Sequence, residues 1–239
     1  MSSARLALLP SLAALVIAML SLQVGASIAK QLFSVIGVEA TVTLRLLVSA
    51  VLLTVVFKPW HARFTNSNWL AVTMYGASLA CMNLSFYFAL QTIPLGIAVA
   101  LEFVGPMAVA MIWSRRLVDF VWVVVAIVGL LLLLPFSDAS KDLDPTGVML
   151  ALVAGGCWAI YIVVGQKAGR DHGGLAAVLG VIIAAIIVTP VGLSCAGASL
   201  FGIALLPTAV AIGSLSSAGP YTVEMYALRR LPTPTFGSL

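Results

Sequence analysis

Apolar residues in this sequence come in long, almost unbroken runs, and each run has about the length that crosses a lipid bilayer. A helix spans the roughly 30 Å hydrocarbon layer with about 20 residues. The 239 residues are 62% hydrophobic and 8% charged, whereas a soluble domain carries about 25% charged residues. Continuous apolar runs are typical of helices, which satisfy their own backbone polar groups in lipid. The sequence therefore predicts an all-α integral membrane protein.

Short polar breaks divide this apolar sequence into eight complete spans and the start of a ninth. Pro94 and Pro232 each stand in the first turn of a span, where proline is tolerated because its missing N–H has no helical partner. The breaks leave no room for a soluble domain, so we expect one compact bundle. The predicted spans are residues 7–29, 38–57, 69–90, 94–113, 117–135, 145–165, 174–195 and 203–228.

Basic residues mark one side of this predicted bundle. With the N-terminus in the cytoplasm, the opposite side holds only Lys30 and Lys141, and Arg45 lies within a span. Lysine and arginine concentrate in cytoplasmic loops, so we predict a cytoplasmic N-terminus. Basic residues spread in ones and twos also give no sign of a nucleic-acid partner. The nine of twelve that fall on the cytoplasmic side are Arg5, Lys58, Arg63, Arg115, Arg116, Lys167, Arg170, Arg229 and Arg230.

Two similar stretches about 138 positions apart indicate an internal repeat. We predict a first unit at residues 1–136 with five helices, and a second unit at 137–239 that holds helices six to eight and the start of the ninth. Because five is odd, the second unit enters the membrane from the opposite face, as in transporters built from inverted repeats. The matched residues are Ala89, Leu90, Pro94 and Leu101 with Ala227, Leu228, Pro232 and Leu239.

Several stretches resemble one transporter family. They are residues 91–103 (QTIPLGIAVALEF) with Gly105 and Pro106, residues 118–124 (VDFVWVV) after Arg115 and Arg116, residues 157–162 (CWAIYI) and residues 230–237 (RLPTPTFG). They are similar to the threonine/homoserine exporters of the RhtA type, in the EamA branch of the drug/metabolite transporter superfamily.

The resemblance implies a ten-helix carrier of the bacterial inner membrane, built as an EamA-type inverted five-helix repeat. Such a carrier exports small neutral amino acids such as threonine and homoserine, uses protons as the coupling ion and needs no cofactor. Family members continue through a ninth and a tenth helix, whereas this sequence ends at Leu239. A truncated, inactive carrier fragment of the same family is therefore the alternative. The oligomeric state stays open.

Three ionisable residues fall inside the predicted spans, where each calls for a partner or a wet cavity. Glu102, near the middle of the fourth span and just before Gly105 and Pro106, is the candidate for binding substrate or protons, against a structural role in hydrogen bonding. Arg45 is a candidate for a substrate carboxylate, or for a structural pairing with Glu39 or a carbonyl. Glu224 is a further candidate, although an ion pair with Arg229 would also explain it.

Polar and aromatic pairs at helical spacing are the remaining candidates for the substrate site. Residues three or four apart share a helix face, and an amino-acid site needs hydrogen-bonding groups within apolar walls. Each pair has packing between helices as its structural alternative. The pairs are Asn83 with Tyr87, Trp158 with Tyr161, and Tyr221 with Glu224.

An enzyme is the least favoured class of function. Neither His61 nor His172 lies in a metal-ligating motif, and the sequence contains no phosphate-binding Gly-Lys-Ser/Thr loop and no G-x-S-x-G motif. The three cysteines fall inside predicted spans without metal-ligand spacing, which is typical of small buried residues. We therefore expect no metal and no catalytic residue.

Overall fold

The structure is a computed structural model, and it describes residues 3–61, 69–113, 121, 124–125, 127–129, 143–197, 202, 205–220 and 222–223. Within these residues the regular structure is helical. The α-helices are α1 (Ser3–Ile36), α2 (Val38–Phe57), α3 (Trp69–Thr92), α4 (Leu95–Glu102), α5 (Val104–Trp113), α6 (Pro145–His172), α7 (Leu175–Ala196) and α8 (Leu206–Gly213). A 3₁₀-helix covers Pro59–His61, and a π-helical turn covers Ser214–Ala218.

Six helical segments in the described residues are long and apolar enough to cross a membrane. They are Val16–Ile36, Val38–Phe57, Trp69–Thr92, Leu95–Trp113, Pro145–His172 and Leu175–Ala196. These six correspond to predicted spans one to four, six and seven. The fifth predicted span, 117–135, lies mostly outside the described residues, and the ninth lies wholly outside them. The eighth, 203–228, begins as the shorter apolar helix Leu206–Ala218.

The predicted C-terminal ends of the first and sixth spans are wrong. α1 continues to Ile36, so Lys30 lies within the helix rather than in a loop, because the apolar residues after it contain no helix breaker before Gly37. Gly37 has a φ of 81°, a conformation that glycine adopts at little cost, and there the chain turns into α2. α6 likewise continues past residue 165 to His172, where Gly173 with a φ of 65° ends it.

The centre of the bundle is formed by α2, α3, α6 and α7. α3 packs along both α6 and α7, while α2 packs along α7. Small residues allow the close contact, because a Cβ at Gly180 would lie 2.1 Å from the Tyr75 ring. Buried aromatic and aliphatic side chains fill this centre, including Tyr75, Leu79, Tyr161 and Ile162. α1 and the π-turn contact each other and α2 beside this centre.

The fourth membrane span comprises α4 and α5, and helical hydrogen bonds from the Phe103 N–H to Val99 and from the Met107 N–H to Phe103 continue through their junction. The backbones of this span and of α6 come close together just after Phe103. A Cβ at Gly105 would lie 1.8 Å from the carbonyl oxygen of Gly155 on α6. Glu102, the last residue of α4, is therefore held where two backbones touch.

Candidate functional site

A cavity of about 340 Å³ opens between α1, α2, α3, the α4–α5 junction and α6. Its wall is mostly apolar, with contributions from Met19, Met82, Phe86, Val99 and Phe103. The lining residues whose side chains carry a polar atom other than sulfur are Gln23, Arg45, Asn83, Tyr87, Glu102 and Trp158. Five of these six are residues that the sequence analysis singled out, and they come from four different helices. The volume lies at the small end of the range for ligand sites, about 300–1,000 Å³.

Arg45 enters this cavity from the middle of α2 and is only 3% exposed. One terminal nitrogen, Nη2, donates a hydrogen bond to Oδ1 of Asn83. The other, Nη1, donates to the carbonyl oxygen of Ser216 at 3.3 Å and to its hydroxyl at 3.4 Å. The guanidinium also lies 4.6 Å from the centre of the Tyr87 ring, a cation–π contact. Of the structural pairings considered for Arg45, the structure has the one with a carbonyl.

The π-helical turn Ser214–Ala218 supplies the backbone contact to Arg45. A π-turn is a wide helical turn, and such turns are frequent at functional sites. The hydroxyl of Ser49 on α2 donates to the carbonyl oxygen of Gly213, just before the turn, at 2.9 Å. Ser216 also packs directly on Gly25 of α1, where a Cβ would lie 2.3 Å from the Ser216 Cβ. The turn is thus fixed against both α1 and α2.

Asn83 and Tyr87 lie one helical turn apart on α3, and both line the cavity as their spacing predicted. The Asn83 amide nitrogen donates to the carbonyl oxygen of Leu79 at 2.7 Å, which directs the amide oxygen toward Arg45. Tyr87 is fully buried, and its ring contacts Phe33 and Phe86. Its hydroxyl makes no hydrogen bond within the described residues.

Glu102 contributes a carboxyl group to the same cavity and is 9% exposed. Its backbone faces Gly155 of α6, where a Cβ would lie 2.6 Å from the Glu102 carbonyl oxygen. Trp158, three residues further along α6, packs edge-on against Phe103 with 5.0 Å between ring centres. The close approach of α6 to the α4–α5 junction therefore brings Glu102, Phe103 and Trp158 into one wall.

Tyr161 was grouped with Trp158 by spacing, but the structure places it away from the cavity. Its ring stacks on Tyr75 of α3 at 4.7 Å between centres, and the two hydroxyls are 3.2 Å apart. Tyr221 and Glu224, the last two predicted site residues, lie outside the described residues.

Sequence reasoning missed several residues that contact this site. Gln23 lines the cavity and is the one amide side chain in the first predicted span. Its polarity within an apolar span could have identified it from the sequence. Phe86 precedes Tyr87, and Phe103 follows Glu102, so both adjoin predicted residues. Nothing in the sequence marks Ser216, because its contact with Arg45 depends on the π-turn.

Metal ligands do not cluster in the part of the chain that the structure covers. No group of three His, Cys, Asp or Glu side chains that could hold a metal ion occurs among those residues. Cys81, Cys157 and Cys195 are free thiols on three different helices. The side chains that line the cavity offer hydrogen bonding, charge pairing and contact with aromatic rings.

The fold and the sequence were compared with those of known proteins. One solved crystal structure matches the fold with a TM-score of 0.74 at 14% identity, over 95% of this chain and 82% of its own. No family model matches the chain. The threonine/homoserine exporter RhtA of Salmonella typhimurium (strain SL1344) is 51% identical over 225 residues, which are 94% of this chain and 76% of that protein. RhtA of Escherichia coli (strain K12) gives the same identity and coverage.

Identity of 51% across nearly the whole chain is far above what apolar composition alone produces, and the fold has the helices that a multi-pass carrier requires. This is a multi-pass membrane protein, and it belongs to the family of the RhtA threonine/homoserine exporters.

Proposed function

We propose that this protein exports small neutral amino acids such as threonine and homoserine through the cavity that Arg45 and Glu102 line. One observation carries the proposal: a buried guanidinium and a buried carboxyl group line the same small, mostly apolar cavity. Ionisable groups inside a membrane protein are costly and are typical of substrate or ion pathways. The relatives at 51% identity are threonine/homoserine exporters by name, which supports the substrate class.

The chemistry of the cavity suits a zwitterion with a short side chain. An amino acid presents an ammonium group and a carboxylate, and the cavity offers one acidic and one basic side chain. Asn83 and Gln23 add hydrogen-bonding groups that suit a hydroxyl group on the substrate. The apolar wall from Met82, Phe86 and Val99 suits the remaining methyl or methylene groups. These groups bind reversibly, and the protein acts as a carrier rather than as an enzyme.

Glu102 is our candidate for proton coupling. Its backbone lies at the close contact with Gly155 of α6, just before Gly105 and Pro106 in the same span. A carboxyl group that alternates between substrate and proton couples the two movements. We expect Glu102→Gln to bind substrate with reduced affinity and to lose the dependence of efflux on external pH. Efflux from Glu102→Gln that follows pH as in wild type would contradict this role.

Two inverted units in the inner membrane complete the proposal, with the N-terminus in the cytoplasm. Supporting this arrangement, the helix contacts have a two-fold pattern. α2 packs on α7, its counterpart in the second unit. α3 packs along α6, and the corresponding pair, α1 and α8, is also in contact. Inverted repeats place the substrate site near the middle of the membrane and open it to each side in turn.

Efflux of preloaded radiolabelled threonine tests the function. Cells without their own threonine exporter would express the 239-residue chain, with insertion confirmed by immunoblot of the membrane fraction. We expect faster efflux than from cells with empty vector, and slower efflux again for Arg45→Ala. Efflux at the empty-vector rate from cells with well-inserted protein would refute the proposal for this chain.

A further inference from the structure

Arg45 is a buried cation whose partners in the described part of the chain are all uncharged. These partners are an amide oxygen, a carbonyl oxygen, a hydroxyl and a ring face, contributed by Asn83, Ser216 and Tyr87. Neutral dipoles orient a guanidinium, but they do not neutralise its charge. Glu102 lines the same cavity but is not among the groups that bond to Arg45, and a buried charge that no counter-charge contacts is strongly disfavoured. An anion at this position would remove that penalty.

The unpartnered nitrogen of Arg45 shows where such an anion would bind. Nε is buried and makes no hydrogen bond within the described residues. Nε–H and one proton of Nη2 lie on the same edge of the planar guanidinium, and this edge matches the two oxygens of a carboxylate. Nη2 carries two protons, so it can donate one to a carboxylate that binds side-on and the other to the Asn83 amide.

From this geometry, and resting on the proposed function, we propose that Arg45 recognises the α-carboxylate of the exported amino acid side-on through Nε and Nη2. Asn83 and Ser216 act as positioning residues that hold the guanidinium in place while the site is empty. The orientation of Asn83 supports this assignment, since its bond to the Leu79 carbonyl leaves only the amide oxygen to face Arg45. The protein therefore selects amino acids over amines and amino alcohols.

The first test compares threonine with threoninol, in which a hydroxymethyl group replaces the carboxylate. Threoninol keeps the ammonium group and the side chain, so it isolates the contribution of the carboxylate. Binding of tritiated threonine to the purified chain in lipid nanodiscs is measured with each unlabelled compound as competitor. We expect threoninol to compete roughly 10- to 100-fold more weakly, as for the loss of a charge-assisted hydrogen-bonded pair. Equal competition by the two compounds would overturn the proposal.

The second test places a carboxylate inside the protein. Asn83→Asp puts an acidic group on Nη2 of Arg45, so it neutralises the guanidinium and weakens its attraction for the substrate carboxylate. We expect threonine to bind roughly 10- to 100-fold more weakly to this variant, while its melting temperature is equal to or above that of wild type. A purely structural role for Arg45 predicts the higher melting temperature without the loss of affinity.

Matched variants separate charge from packing. Asn83→Ala removes the amide oxygen without adding charge, so it keeps the preference for threonine over threoninol even if affinity falls a few-fold. Ser217→Ala changes a buried hydroxyl in the same π-turn that has no hydrogen-bond partner, and we expect wild-type binding. Threonine binding to Asn83→Asp that equals binding to Asn83→Ala would count against the proposal.

A third measurement distinguishes failure of this inference from failure of the proposed function. Should folded wild-type protein bind neither threonine nor homoserine, the proposed substrates are wrong, and acetate becomes the probe. The Nε–H resonance of Arg45, assigned by its loss in Arg45→Lys, is followed in protein labelled with ¹⁵N-arginine. Acetate shifts this resonance if Arg45 is a carboxylate site. An unchanged resonance in saturating acetate would refute the site independently of the substrate.

Discussion

Replacing Gly155 by alanine tests whether α4 and α6 must touch backbone to backbone beside Glu102. The new Cβ would lie 2.6 Å from the Glu102 carbonyl oxygen, whereas ordinary contact begins at 3.4 Å. The helices would therefore separate by about 0.8 Å. Gly105→Ala is more severe, because its Cβ would lie 1.8 Å from the Gly155 carbonyl oxygen. In contrast, a Cβ at Gly156 meets nothing within 4 Å.

The magnitude follows from two opposing effects. Alanine favours a helix over glycine by about 1 kcal/mol, and an overpacked interior costs typically about 1–3 kcal/mol. A backbone carbonyl cannot rotate away, so the cost falls in the upper part of this range. We expect Gly155→Ala to lower the free energy of unfolding by about 1–2 kcal/mol and Gly105→Ala to lower it further. Gly156→Ala should leave it unchanged or raise it by up to about 1 kcal/mol.

Unfolding by SDS in mixed detergent micelles, followed by circular dichroism, measures these differences. Threonine efflux, corrected for the amount of inserted protein, reports on the cavity wall that Glu102 and Trp158 form across this contact. We expect efflux to fall in the same order as stability. If Gly155→Ala and Gly156→Ala unfold at the same SDS concentration, the close backbone approach is not a feature of the folded protein.

Two further changes test contacts away from the cavity. Tyr161→Phe removes the buried hydroxyl that pairs with Tyr75, so the free energy of unfolding should fall by about 0.5–1.5 kcal/mol with the KM for threonine unchanged. A raised KM would place this pair in the substrate site. At the start of α6 the Thr146 backbone N–H donates to Asp144 and holds the Asp144 pKa below its usual 3.8. This stabilisation is fully present above the usual pKa of 3.8. It is lost as the pH falls through the lower pKa of the folded state. Asp144→Ala should therefore lower the melting temperature at pH 7, whereas Asp144→Asn keeps a cap without the acid-dependent loss. Identical melting curves for Asp144→Ala and wild type at pH 7 would contradict the capping role.

Much of the fold could be predicted because membrane helices are set by local composition. The runs that become α2 and α3 begin and end close to their predicted bounds. The ends of α1 and α6 were less predictable, because a helix continues through a charged residue such as Lys30 until glycine allows the chain to turn. The cytoplasmic N-terminus, which the loop charges predict, stays a prediction.

The site was predictable only where one helix carried the information. Asn83 and Tyr87, four residues apart, both line the cavity. Trp158 and Tyr161 are three residues apart, but only Trp158 lines the cavity. Tyr161 stacks instead on Tyr75 of another helix. The sequence likewise left the partner of Arg45 open, since the choice depends on a π-turn formed far along the chain.

The π-turn at Ser214–Ala218 makes the position of the Ser216 carbonyl depend on chain length rather than on side-chain chemistry. A π-turn contains about one residue more than an α-helical turn, and one residue corresponds to about 100° of rotation in an α-helix. Removing a single residue from this segment would restore a regular α-helix and rotate the carbonyl away from Arg45. Point substitutions would leave the backbone oxygen where it is. Among relatives, the length of this segment is therefore as informative about the state of Arg45 as the identity of its residues.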